Sequence, residues 1–197
     1  YDSIWICGNN ATGQLGLGDK THRNVPHKIT NLPPIQAIAG GTRHSILLDF
    51  EGSVWTFGYN PNGGLGLGDS TSRNVPQKIS NLPKIKSIAG GCHFTMLIDT
   101  EGCVWVCGSN EYGELGLGHT TDTNIPVKNN LQNIISISGG LNCSMFLDNE
   151  GNVFTCGYNG FGQLGLGDKR NRNIPEKVGN IPPIASLASC CFSDNYF

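Results

Sequence analysis

At 197 residues, 38% of them hydrophobic, the chain is long enough to bury a substantial core. A formal net charge of −2, with 14% charged residues and no Lys/Arg run, gives a phosphate-backbone partner little electrostatic support. No apolar stretch approaches membrane-spanning length.

The first predicted element is the strand-like run Ile4-Trp5-Ile6-Cys7-Gly8. Behind it come Gly13-Gln14-Leu15-Gly16-Leu17-Gly18, the step Val25-Pro26, and Ile38-Ala39-Gly40-Gly41. An apolar run, Ile46-Leu47-Leu48-Asp49, then leads into Glu51-Gly52. The series restarts with Val54-Trp55-Thr56-Phe57-Gly58 and Gly63-Gly64-Leu65-Gly66-Leu67-Gly68. It continues through Val75-Pro76, Ile88-Ala89-Gly90-Gly91, and Met96-Leu97-Ile98-Asp99 with Glu101-Gly102. A third copy runs from Val104-Trp105-Val106-Cys107-Gly108 through Gly113-Glu114-Leu115-Gly116-Leu117-Gly118 and Ile125-Pro126. It ends with Ile137-Ser138-Gly139-Gly140 and Met145-Phe146-Leu147-Asp148, then Glu150-Gly151. The fourth opens with Val153-Phe154-Thr155-Cys156-Gly157, Gly162-Gln163-Leu164-Gly165-Leu166-Gly167 and Ile174-Pro175, and then decays. Leu187-Ala188-Ser189-Cys190 stands where Ile-Ala-Gly-Gly belongs, and 191–197 has lost the aliphatic run.

A fixed period of about fifty residues signals a solenoid, propeller or array. Each period holds about four short Val/Ile/Leu/aromatic runs bounded by Gly, Asn, Pro or Asp, which are strand and turn signals. The Asp-x-Glu-Gly segments put Gly where a tight hairpin needs positive φ. No stretch carries a helical apolar period. The fold class is therefore all-β: a propeller of about four blades, each of four antiparallel strands. One domain is expected over 1–197, with repeats near 1–52, 53–102, 103–151 and 152–197.

WD40 repeats are shorter and need a Trp-Asp pair that is absent here. Kelch repeats share the length and a Gly-Gly pair but have no counterpart of the Gly-x-Leu-Gly-Leu-Gly-Asp block. That block, with the Pro step and the Gly-Gly-x-x-His-Ser element of Gly40 to Ser45, closely resembles the RCC1-type repeat over nearly the whole chain. The resemblance implies a seven-bladed ring, of which four blades cover little more than half. Three arrangements stay open: part of a longer polypeptide (the chain begins at Tyr1 rather than Met), closure by a second copy, or a compact four-bladed ring. Open blade edges would also offer a route to self-association.

Several tempting sites have plainer readings. No Lys-Ser/Thr directly follows the last Gly of the block, where Asp19, Asp69, His119 and Asp168 stand, and a strand-loop-helix frame is absent, so the block is read as structural turns rather than a phosphate loop. Trp5, Trp55 and Trp105, with Phe154 in the fourth copy, are read as packing between blades. Thr42, Cys92 and Leu141 occupy the slot where photoreceptor members of the resembled family carry extra Trp, which disfavours light sensing. His44 is read as a structural hydrogen-bonding residue, and Asp19, Asp69 and Asp168 as local partners of Arg23, Arg73 and Arg172. Cys7, Cys107 and Cys156 share their slot with Phe57, so they are read as reduced core residues of an intracellular, cytoplasmic protein (with nuclear or virion-associated settings left open). The vicinal pair Cys190 and Cys191 is read as incidental. No cofactor and no metal set of recognised spacing is expected.

Repeat scaffolds keep their core and vary their binding positions. By that test the candidate contacts to a protein partner are Arg43, Tyr59, His93, Tyr112, Asn142, Phe161 and Arg170, with Pro61, Glu111 and Lys169 beside them. Tyr and Arg are also favoured contact residues. The expected function is a non-enzymatic protein-interaction scaffold. Two alternatives come with it: guanine-nucleotide exchange on a small GTPase, implied by the resemblance, and an assembly role in a virion or cytoskeletal complex. Repeats of 49–50 residues leave no long insertion to serve as an exchange wedge.

Overall fold

A computed structural model describes residues 3–189 and 195–196. Among them sixteen strands follow one another: β1 (Ile4–Gly8), β2 (Arg23–Ile29), β3 (Ile35–Gly40), β4 (His44–Asp49), β5 (Val54–Gly58), β6 (Arg73–Lys78), β7 (Ile85–Gly90) and β8 (Phe94–Asp99). They continue as β9 (Val104–Gly108), β10 (Thr123–Lys128), β11 (Ile134–Gly139), β12 (Cys143–Asp148), β13 (Val153–Gly157), β14 (Arg172–Lys177), β15 (Ala188–Ser189) and β16 (Asn195–Tyr196). No helix occurs among the described residues, so none there is long and apolar enough to cross a membrane.

Three four-stranded antiparallel sheets run in the orders β3-β4-β5-β6, β7-β8-β9-β10 and β11-β12-β13-β14; we call them blades I, II and III. β1-β2 and β15-β16 form two-stranded sheets at the two ends. The sheets are thus offset by half a period from the sequence repeats: each blade takes its inner hairpin from one copy and its outer hairpin from the next. Of the decayed tail, Cys190, Cys191, 192–194 and Phe197 lie outside the described residues.

The second strand of each blade is apolar on both faces because both faces are covered. Ile46 and Leu48 of β4 join Ile85 and Leu97 of blade II, while Leu47 turns the other way onto Ile29 and Phe57. Between blades II and III, Phe94, Met96 and Ile98 meet Ile134, Ile137 and Phe146. Closest approach of the blades explains the Gly-Gly pairs. A methyl group added at Gly90 would sit 2.7 Å from the Gly41 nitrogen, and one at Gly139 would sit 2.8 Å from the Gly91 nitrogen.

Trp55 and Trp105 pack between blades as the spacing predicts, but Trp5 does not. It is 62% exposed, because β1 belongs to an end sheet with no inner strands beside it. For the same reason Cys7 is exposed while Cys107 and Cys156 are buried. Burial pushes the Cys107 thiol up to about 12, the behaviour of an inert core residue.

The hairpin turns share one design. Asp49 Oδ1 accepts from the Glu51 and Ser53 nitrogens at 3.0 and 2.8 Å, and its Oδ2 accepts from Trp55 Nε1 at 3.0 Å. Asp99 repeats this with Glu101, Cys103 and Trp105. In blade III Phe154 has no N–H to give, and Asn152 Nδ2 donates to Asp148 Oδ2 at 2.8 Å instead. Gly52, Gly102 and Gly151 complete these turns at φ 82, 82 and 83°.

Candidate protein-interaction face

The end of the blades opposite those Asp turns carries two kinds of connection. Short turns at 41–43, 91–93 and 140–142 join the first and second strands. Long loops at 59–72, 109–122 and 158–171 join the third and fourth, with a matching loop at 9–22 in the first end sheet. Pairing of His44 with Gly58 puts turn and loop at the same end of the sheet.

One buried asparagine organises each long loop. Oδ1 of Asn10, Asn60, Asn110 and Asn159 accepts from the nitrogen of Leu15, Leu65, Leu115 and Leu164 at 2.9–3.0 Å. Its Nδ2 donates to the carbonyl of Asp19, Asp69, His119 or Asp168 at 2.9–3.0 Å. The leucine is thereby driven into the core, and the repeated glycines supply the left-handed bends; Gly13, Gly16 and Gly18 have φ 86, 66 and 88°. The Gly-rich block is a structural device of the loop base.

Asp19–Arg23, Asp69–Arg73 and Asp168–Arg172 ion pairs of 2.6, 2.6 and 2.8 Å brace three of the loops, as their spacing suggests. Hydrogen bonds to the arginine and to the backbone two residues on hold Asp69 and Asp168 below the usual carboxylate range. In the remaining loop, 109–122, His119 and Thr123 replace the pair, and the His119 ring accepts from the Thr121 nitrogen at 3.2 Å.

Loops are also fixed to the neighbouring blade. Ser45, Thr95 and Ser144 hydroxyls donate to the carbonyls of Gln14, Gly64 and Glu114 at 2.8, 2.7 and 2.6 Å. His44 extends this system, with Nε2 3.1 Å from Thr95 Oγ1. Since the threonine proton goes to Gly64, His44 must be the donor, a neutral Nε2–H tautomer. Burial lowers its pKa to about 4, consistent with that neutral state.

Gln14, Glu114 and Gln163 cap the loop tips by accepting from the nitrogens of Thr12, Tyr112 and Phe161 at 2.9, 2.8 and 3.0 Å. Glu114 is completely buried and also accepts from Ser109 Oγ at 3.1 Å. Burial raises its pKa, and Asp122 adds to the shift, while the hydrogen bonds oppose it. The sequence reading treated this position as an interchangeable x of the Gly block.

On this fixed base the candidate contact residues gather at two successive blade junctions. At the junction of blades I and II, Arg43 Cζ lies 5.9 Å from the Tyr59 ring centroid, and the Tyr59 and His93 rings are 5.2 Å apart. Burial and the Arg43 charge hold His93 below its ordinary pKa. At the junction of blades II and III, Tyr112 meets Tyr158 edge-on at 5.1 Å and Tyr158 meets Phe161 at 6.0 Å. Leu141 and Asn142 close a pocket of about 130 Å³ against them, and Phe161 is 73% exposed.

Arg170 shares a loop with Phe161 but joins neither ring cluster. Its nitrogen donates to Asp168 Oδ1 at 2.9 Å and its side chain is exposed. Pro61, Glu111 and Lys169 are exposed at the same end. Tyr158 was missed by sequence reasoning, although it fills the repeat position of Tyr59 and the signal was present. Its ring folds back over Gly160; a Cβ there would fall within 2.2 Å of the Tyr158 hydroxyl. Leu141 was weighed only as an absent Trp.

Among the described residues no three His, Cys, Asp or Glu side chains group as metal ligands. A larger groove of about 470 Å³ lies at the outer rim, where Arg73 is already committed to Asp69.

Stacked four-stranded blades, bolted together by recurring hydroxyl–carbonyl bonds and varying most at their tips, define a repeat-built β-propeller. The regulator of chromosome condensation (RCC1) repeat model matches residues 1–48, 51–98, 101–147 and 150–191, and a second RCC1 repeat model matches 35–63, 85–114 and 134–163. The chain belongs to the RCC1 repeat family. Human WBSCR16 superposes with a TM-score of 0.87 at 24% identity, over 98% of this chain and 52% of its own. Prp20p from Saccharomyces cerevisiae superposes at 0.85 and 22% identity, over 98% of this chain and 50% of its own. Yeast RCC1 (Prp20), solved with Kap60, gives 0.85 and 20%, with coverage of 96% and 48%. At these identities the likeness is one of fold, and the chain spans about half the length of these proteins. No curated protein sequence matches.

Proposed function

We propose that the chain is a non-enzymatic scaffold, one propeller unit over 1–197, that binds a protein partner through the loop end of its blades in an intracellular setting. The observation that carries this is the contrast within each loop. The base is fully hydrogen-bonded and repeats from copy to copy, whereas the tips present Arg43, Tyr59, Tyr112 and Phe161 at two junctions. A base this rigid lowers the ordering cost of binding. Yeast Prp20p is described with binding to Gsp1p and histones, and yeast RCC1 (Prp20) was solved bound to Kap60. Protein partners for this chain are consistent with that.

Photo-reactive residues placed at Arg43, Tyr112 and Phe161, and as controls at Glu101 and Glu150 on the opposite end, test the reading in extract of the source cells. Adducts confined to the loop end support it; adducts from both ends alike, or from neither, contradict it. Nucleotide release from a panel of small GTPases tests the exchange alternative, for which stimulated release would replace the scaffold reading. Against that alternative, the loops keep near-equal lengths with no protruding element among the described residues.

A further inference from the structure

The two junctions differ in chemistry, and the difference specifies a ligand. Of the five arginines, Arg23, Arg73 and Arg172 are each held by an aspartate. Arg43 has no carboxylate within ion-pair distance among the described residues; it rests only against the Tyr59 ring. A guanidinium oriented by an aromatic face and left without an anion is suited to two-pronged carboxylate recognition. Beside it, His93 Nδ1 is buried with no hydrogen-bond partner. The second junction is apolar and has the opposite charge nearby, since Glu111 precedes Tyr112 and is exposed. Its 130 Å³ pocket falls short of the roughly 300 Å³ at which small-molecule sites begin. It is close to the cavity of about 150 Å³ that accepts a benzene ring. That volume fits one aliphatic or aromatic side chain.

Resting on the reading that the loop end is the recognition surface, we propose that it binds an extended acidic peptide segment of its partner. An Asp or Glu of the peptide pairs with Arg43 beside Tyr59 and His93. A Leu, Ile or Phe further along fills the pocket between Tyr112, Tyr158 and Phe161. Glu111 repels acid at the second junction and Arg43 repels base at the first, which fixes the direction in which the peptide lies. A folded acidic surface would not reach into a pocket flanked by two loops, whereas a single extended side chain does.

Selection of phage-displayed random linear peptides on the full chain tests this. The expected consensus couples one acidic residue to one bulky apolar residue at a fixed separation. With a fluorescein-labelled consensus peptide, anisotropy should show Kd raised about tenfold or more by Arg43→Glu, and by a similar factor by Phe161→Ala. Both side chains are exposed, so both variants fold. A peptide with its acid changed to Lys should recover binding to Arg43→Glu while losing it to the wild type. A basic or purely apolar consensus, no enriched consensus, or affinity indifferent to Arg43→Glu overturns the proposal, as does stronger binding of a single-stranded oligonucleotide. Where cross-links still map to the loop end under those results, the scaffold reading stands and only the peptide chemistry falls. Where cross-links fail as well, both fall.

Discussion

The two ends of each blade are built from the same strands and have taken opposite courses. At one end, the Asp49, Asp99 and Asp148 turns hold the same hydrogen bonds, and even the loss of an indole at Phe154 is made good by Asn152. At the other, Asn60, Asn110 and Asn159 keep the loop base constant while the tip residues change in size, charge and ring content. Variation is tolerated where the backbone satisfies itself without help from the varying side chain. A tip residue is free for recognition because it holds nothing up.

That comparison breaks most severely if the constant parts are removed. Gly90→Ala would drive a methyl group into the backbone of Gly40 and Gly41, with no flexible side chain to yield. A loss of 3 kcal/mol or more, on the order of the largest single-site effects, is expected in denaturant unfolding. Asn110→Ala should cost about 1–3 kcal/mol, because it leaves the buried Leu115 nitrogen unpaired and removes the tie to the His119 carbonyl across the loop.

His44 sharpens the comparison through pH. The folded ring stays neutral down to about 4, while the unfolded chain protonates near the ordinary histidine value of 6.5. The unfolded state therefore takes up protons first. Stability should be complete above pH 6.5 and fall, by on the order of 3 kcal/mol in all, as pH drops towards 4. His44→Phe, which copies Phe94, should flatten that part of the stability-versus-pH curve. Glu114 has the opposite sign. Its raised pKa means that ionisation in the unfolded chain pulls against folding as pH rises from 4.5. Glu114→Gln should gain on the wild type from pH 4.5 upward and match it below.

The smallest effects come from single exchanges at the ends. Trp55→Phe loses one hydrogen bond to Asp49 and should cost about 1 kcal/mol. Adding Ser53→Asn, which copies blade III, should recover much of it, and a double-mutant cycle would read the coupling. Phe161→Ala at a loop tip should leave stability unchanged within about 0.5 kcal/mol.

The fold was legible in the sequence because every blade repeats the same solution, so four copies report on one problem. The phase of the blades was not, since a cyclic pattern reads identically from any starting strand. Exposure of Trp5 and Cys7 escaped for a related reason: the slot is a core slot in the interior blades, and only strand neighbours reveal that β1 lacks them. Variation among copies picked out Arg43, Tyr59, His93, Tyr112, Asn142 and Phe161, all at the loop end. Which of them meet depends on contacts across blades, such as Tyr59 with His93, and those have no local signature. Glu114 shows the limit of that test, as it varies between copies yet is buried.

The most direct measurement is a composite variant with Arg43, Tyr59, Tyr112, Tyr158 and Phe161 all changed to alanine, examined by thermal unfolding and by photo-cross-linking from Glu111. A melting temperature close to the wild type with every adduct lost is the predicted result. Adducts that persist, or a propeller that no longer folds, would contradict the separation of a constant scaffold from its recognition tips.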